Sequence, residues 1–422
     1  MNMDDSVTIG RRLRRIRHAR RKSLRVVAGL AGISESYLCR LELGERALNR
    51  LSLIDALAGA LQIAPSELTK LPVSAPTDDD TDAAVSAVRL ALVAVDHDRP
   101  GGQVLPVEAL RARVKTTVDA HCRQGRDTEV GAALPALIAD LHTSTAAGRD
   151  VAALLDLTVL LHTTVTTGWL RVVGAPLDLR SQAVFLGRRA AQDRDTPTAM
   201  GLATWGGLHV MLSAGAVELA QAELDSVTVP TTTPESTQLA GMLALSRSLV
   251  AMVDKRSGDV DPSLEFAGEL AERTGEANAY WMGFGPTNVG FWRMYVALEA
   301  GDHERAASVA EGLRPQVHPH RGSQALYWVD YGRALSRLRG RRDDAALALR
   351  RAEVISPNYL HRDPLARATL GELLVRARQD AVGRELRGMA SRAGLPGNGL
   401  ALRSSASLLP AQTSHSNHRK GA

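Results

Sequence analysis

SLRVVAGLAGISESYLCRLELGER, residues 23–46, is the stretch from which the N-terminal fold is read. Ser23 stands where a helix running from Leu24 to Ala31 needs a cap, because its hydroxyl can accept from first-turn N–H groups that lack an intrahelical partner. Gly32 takes up positive φ without a Cβ penalty and so stops that helix. Ser34 caps the next one. Val27, Ala28, Ala31, Ile33, Leu38 and Leu41 are small or apolar at the positions where two helices must cross closely over a tight turn, which is the pattern of a helix-turn-helix.

The flanks extend the reading. Thr8 to Arg20 predicts a first helix with Ile9, Leu13 and Ile16 on one face. No acidic residue falls between Asp5 and Glu35, while Arg11, Arg12, Arg14, Arg15, Arg17, Arg20, Arg21, Lys22 and Arg25 crowd together. The whole chain of 422 residues carries a formal charge of only +5, so any electrostatic footprint for nucleic acid is local to this stretch. Downstream, LIDALAGALQIAPSEL (residues 53–68) continues the helical periodicity.

Residues 9–71 resemble the lambda-repressor-like (XRE) family of bacterial and phage regulators. The resemblance implies a five-helix bundle, with Asn49 to Leu61 as the fourth helix and Pro65 to Lys70 as the fifth, Pro65 taking the first helical position. It also implies that the third helix enters the major groove while the second crosses the backbone. Ser34, Glu35, Ser36 and Arg40 are then the candidate base readers. Arg40 suits a guanine edge, Glu35 a cytosine amine and Ser36 either kind of base. Ser23, Arg25, Tyr37 and Arg46 fall to the phosphates, with Arg11, Arg12 and Arg15 of helix 1 adding attraction. Glu42 reads instead as a structural ion-pair or capping residue. Two positions depart from the family: Leu24 stands where a glutamine is common, and Cys39 where serine is common.

LPVSAPTDDDT (residues 71–81) marks a boundary by its prolines and acidic run. The expected organisation is an all-α chain: a DNA-binding domain at 1–71, a linker at 72–81, a helical domain at 82–395 and a disordered tail at 396–422. Within the helical domain, breaks at Gly215, Gly258, Gly301 and Gly340 recur about every forty residues, the period of helix-turn-helix solenoids. LSRLRGRRDDAALALRRAEVISP places Gly340, Ala345, Leu349, Ala352 and Pro357 as a tetratricopeptide (TPR) repeat would, and the domain resembles a degenerate TPR-like solenoid. An irregular helical domain is the alternative.

Such a domain joined to an XRE domain resembles peptide-sensing regulators, which implies a homodimer on double-stranded DNA and a peptide or other small ligand. AYWMGFGPTNVGFWRMY gathers six of the fifteen aromatic residues, and Asn278, Trp281, Asn288, Trp292 and Arg293 are its candidate ligand contacts, Arg293 as a carboxylate clamp. The same aromatics could equally form core between repeats. A protein-binding adaptor that uses the small domain for docking or dimerisation is the second functional expectation, and an antitoxin-like autoregulator the third.

No catalytic constellation is present: there is no P-loop, no HExxH, no GxSxG and no dinucleotide glycine fingerprint, so no enzyme and no cofactor is expected. Cys39 and Cys122 lack metal-ligand spacing, and His318 and His320 of VHPHR are expected in an exposed loop, so no metal is expected either. The apolar stretch from Val151 to Val173 carries Asp156, His162 and Arg171, which argues against a membrane span. With no secretory signal read at the N-terminus, the cytoplasm is the expected compartment.

Overall fold

The computed structural model describes residues 9–69 and 79–395, and among these the regular structure is helical throughout, with no strand. Helices α1 (Ile9–Ala19), α2 (Leu24–Ala31), α3 (Glu35–Glu42), α4 (Leu51–Leu61) and α5 (Pro65–Thr69) close around Leu13, Val27, Leu38, Leu41, Ile54, Leu57 and Leu61. The local signals act as their chemistry requires. The Ser23 hydroxyl accepts from the Val26 N–H and the Ser34 hydroxyl from the Tyr37 N–H, each at 3.2 Å. Gly32 has φ 69°, and its N–H returns to the carbonyls of Ala28 and Gly29. Between α1 and α3, buried Arg17 donates to both carboxylate oxygens of buried Glu42, at 2.6 and 2.8 Å. Burying a charge costs heavily unless it is paired and hydrogen-bonded, and here both conditions are met.

The helical domain comprises α6 (Asp79–Asp96), α7 (Val107–Asp119), α8 (Asp127–Ala146), α9 (Val151–Leu160), α10 (Thr167–Val172), α11 (Leu177–Arg194), α12 (Pro197–Ala214), α13 (Val217–Ser226), α14 (Pro234–Val253), α15 (Val260–Thr274), α16 (Pro286–Ala300), α17 (His303–Glu311), α18 (Arg321–Leu335), α19 (Arg342–Ile355), α20 (Pro357–His361), α21 (Pro364–Val375) and α22 (Ala381–Arg392). A π-helical stretch, Leu161–Thr166, joins α9 to α10. From α12 onward the helices pair as hairpins: α12 with α13, α14 with α15, α16 with α17, α18 with α19, and α21 with α22. The first helix of each hairpin also packs on the first helix of the next, so these form an inner row and their partners an outer one. Gly215, Gly301 and Gly340, at φ 80°, 85° and 79°, turn three of the hairpins, whereas Gly258 sits in a short 3-10 turn.

The later hairpins come back onto the earlier helices α7, α8 and α10. The Trp281 indole donates to Asp119 at 2.8 Å, Asn358 donates to Asp127 at 2.8 Å, and Arg362 donates to the Val173 carbonyl at 2.5 Å. These ties between segments far apart in the chain enclose a central space.

Some expectations are corrected. The acidic run ending the expected linker already belongs to α6, since Asp80 and Asp82 lie in its first turn, where the helix dipole favours negative charge; the rest of 72–81, and the expected tail at 396–422, lie outside the described residues. Helix 4 begins at Leu51, not Asn49, because Asn49 is engaged with the helical domain. His318 and His320 are buried, 1% and 8% exposed, and not in an exposed loop. Their rings meet edge to face at 5.1 Å, and His318 stacks on Phe291. The stretch 151–172 is long and apolar enough to cross a membrane, but 67% of its most apolar window is buried inside the protein.

Candidate DNA interface and the cavity behind it

Ser34, Glu35, Ser36 and Arg40 are all exposed, and all lie on or at the cap of α3. The Ser34 hydroxyl is already engaged as the cap. Glu35, in the first turn, also compensates the positive end of the helix. Among the described residues the Arg40 side chain makes only a long contact, 3.4 Å, from Nε to the Ser36 carbonyl, and it is exposed. Arg15, Ser23 and Arg25 are exposed on the same domain, joined by Arg14, Arg20 and Arg21, which sequence reasoning did not single out as contacts.

Other predicted phosphate contacts are placed differently. Arg12 turns to α5, where it donates to the Glu67 carbonyl and reaches its carboxylate at 3.4 Å. Arg11 and Tyr37 are half-buried. Arg46 is half-buried too, with a guanidinium nitrogen 3.6 Å from Glu372 on α21.

That pair is one element of a docking network missed by the sequence reading. The loop from α3 to α4 lies on α18 and α21: the Ala47 N–H donates to Glu372 at 2.8 Å, Arg337 donates to the Ala47 carbonyl at 2.7 Å, and Asn49 donates to Thr369 at 3.2 Å. At the start of α4, the Ser52 N–H donates to Glu299 at 3.2 Å and its hydroxyl to the Glu299 carbonyl at 3.1 Å. Buried Arg333 ties the layer together by donating to Glu299 at 2.9 Å, to Asp330 at 2.5 Å and to the Asn49 carbonyl. Burial opposes its charge, but the two carboxylates outweigh that and raise its pKa above the ordinary arginine range. Helix α3 therefore faces outward while the following loop and helix are fastened inward.

Behind this seam lies the central cavity, about 1220 Å³. Leu51, Ile54, Pro65, Ser66, Glu67 and Thr69 of the small domain form part of its wall. Of the predicted ligand contacts, Trp281, Asn288 and Trp292 line it. Asn288 is buried and its amide donates to the Met242 sulfur at 3.2 Å. Asn278 does not line it; its side-chain oxygen accepts from the Gly283 N–H at 2.9 Å and contacts the His320 ring nitrogen at 3.0 Å, holding a loop. Arg293 is exposed on α16 toward Gly268 of α15 and is absent from the cavity wall, so it is not placed with the other candidates. The aromatic cluster divides: Phe284 is buried in core, while Trp281, Phe291, Trp292 and Tyr295 line the cavity. Among the described residues no group of three or more His, Cys, Asp or Glu side chains is arranged to hold a metal ion.

Neither a curated protein nor a solved structure matches the chain. Residues 8–71 match the family model described as a helix-turn-helix domain. With α2, Gly32 and α3 in the geometry above, the N-terminal domain is a helix-turn-helix DNA-binding domain.

Proposed function

We propose that this protein is a non-enzymatic, sequence-specific transcriptional regulator that works as a homodimer in the cytoplasm, on the nucleoid, and whose TPR-like helical domain senses a peptide or other small ligand. DNA binding rests on the helix-turn-helix match and on the outward-facing α3 with Arg40. Sensing is supported by one observation above all: α4 and α5 of the DNA-binding domain form part of the wall of the cavity enclosed by the helical domain. A molecule large enough to reach that part of the wall touches both domains, and any difference in its affinity for the docked and undocked arrangements must change DNA affinity by linkage. Pairing of two chains would place two α3 helices on half-sites about 34 Å apart, one turn of duplex.

The adaptor reading draws on the docking of Arg46 against Glu372, which treats the small domain as a fixed part of a larger body. Charge reversal at Arg40 separates the two. For a regulator, Arg40→Glu abolishes promoter occupancy in cells while the folded protein persists; for an adaptor it leaves partner capture and cellular function intact.

A further inference from the structure

One end of the cavity is basic. Arg171 on α10, Arg180 on α11, and His209 on α12 come from consecutive helices, and all three line the cavity. The Arg171 guanidinium lies over the Tyr359 ring, 5.7 Å from its centre, and among the described residues neither Arg171 nor Arg180 has a carboxylate within ion-pair distance. The Arg180 Nε is buried without a hydrogen-bond partner. So is the hydroxyl of Thr164, another lining residue, which lies in the π-helical stretch leading to α10. Irregular turns of this kind occur often at functional sites. Burial pushes Arg180 down to about 10, with Arg171 adding to the effect.

Five of the six acids that line the cavity are engaged elsewhere, Glu67 with Arg12, and the sixth, Asp82, is exposed on α6. Asp127 accepts from Asn358, Asp178 pairs with Arg89, Asp330 pairs with Arg333, and Asp363 caps α21 by accepting from the Leu365 and Ala366 N–H groups. A partly desolvated cation without a counter-charge is costly, and buried polar atoms without a partner, here the Arg180 Nε and the Thr164 hydroxyl, are rare in a native interior unless they have a function. Beyond the basic end the wall is aromatic. Trp205 lies one turn before His209 on α12, and Trp292 lies on α16. The volume exceeds what a small-molecule site ordinarily needs.

We propose that the cavity is a binding site for an amphiphilic organic anion, whose carboxylate or phosphate is held by Arg171, Arg180 and the Thr164 hydroxyl while its apolar body lies against Trp205 and Trp292. This deepens the sensing reading by giving the ligand a chemical class, and it rests on that reading only for its effect on DNA. The anion supplies the carboxylate-like partner that both guanidiniums lack among the described residues, through charge-assisted hydrogen bonds that strengthen where water is partly excluded.

The test uses two fluorescent probes of the same aromatic body, the anionic 8-anilinonaphthalene-1-sulfonate and the neutral N-phenyl-1-naphthylamine, titrated into the full chain. The sulfonate is expected to bind about tenfold or more tightly than the neutral dye, with Arg180→Gln removing that preference and leaving neutral-dye binding unchanged. Arg171→Gln is the second variant, and circular dichroism establishes that each is folded. Equal affinity of the two dyes for the wild-type protein, or an unchanged preference in both folded variants, overturns the proposal. Decanoate and decyl phosphate as competitors distinguish the headgroups: displacement of the sulfonate by either supports the site, and displacement by neither overturns it. DNA affinity measured with the sulfonate bound is a separate readout. If it does not move, the sensing reading fails while the anion site stands.

Discussion

Glu372→Ala is the perturbation that most directly loosens the DNA-binding domain from the helical domain. The Glu372 side chain, 1% exposed, accepts from the Ala47 N–H at 2.8 Å and lies 3.2 Å from Arg337, 3.6 Å from Arg46 and 3.4 Å from Arg376. Removing one partner of a buried charge cluster costs about 3–5 kcal/mol. The low end applies here, because Arg46 and Arg376 are 31% and 46% exposed and can rehydrate, leaving Arg337 as the stranded charge. A loss of about 3 kcal/mol is roughly a hundredfold in the docking equilibrium. Amide hydrogen exchange reads it at two sites. The Ala47 N–H loses its acceptor directly, whereas the Ser52 N–H donates to Glu299, which the substitution does not touch. If the domain undocks as a unit, both amides exchange about a hundredfold faster. Acceleration confined to Ala47, with Ser52 unchanged, would refute the view that these contacts form one cooperative seam.

Other outcomes follow from the same structure. Arg15→Ala and Arg25→Ala, both at exposed positions, should each lower the slope of log affinity against log salt by about one while weakening all DNA sequences alike, as measured by fluorescence anisotropy over a salt series. Gly32→Ala should destabilise the small domain by about 1 kcal/mol in denaturant unfolding, because φ is 69° and no atom lies within 4 Å of the new Cβ, so the cost is backbone strain alone; Gly32→Asn should recover part of it. His318 is held down to about 4 by burial, so the unfolded chain takes up its proton first as pH falls. Its contribution is complete above about pH 6.5 and is lost as pH drops toward 4, and thermal melting should show this slope in the wild type and a flatter one in His318→Gln.

The recognition unit was legible because its signals are local. Ser23, Ser34 and Gly32 act on atoms a few residues away, and α2 and α3 begin and end where those residues require. The hairpin turns at Gly215, Gly301 and Gly340 were legible for the same reason. The docking seam was not, since in the sequence around Glu299, Arg333, Arg337 and Glu372 a buried charge and a solvated one look alike. Arg46 was assigned to phosphate from the resemblance alone, and only the fold brings Glu372 beside it. His318 and His320 looked like loop residues because Pro319 separates them, yet the curl of the hairpins covers them. Arg171 and Arg180 converge because α10 and α11 turn back at Gly174, and the sequence does not show that their side chains then meet at one cavity.

The central claim is that α3 reads a DNA sequence through Arg40, and genome-wide occupancy of the tagged wild-type protein beside Arg40→Ala tests it most directly. The account predicts discrete peaks over palindromic sites that vanish in the variant while its protein level and fold persist. Peaks that survive the substitution, or a folded wild-type protein with no peaks at all, would contradict it.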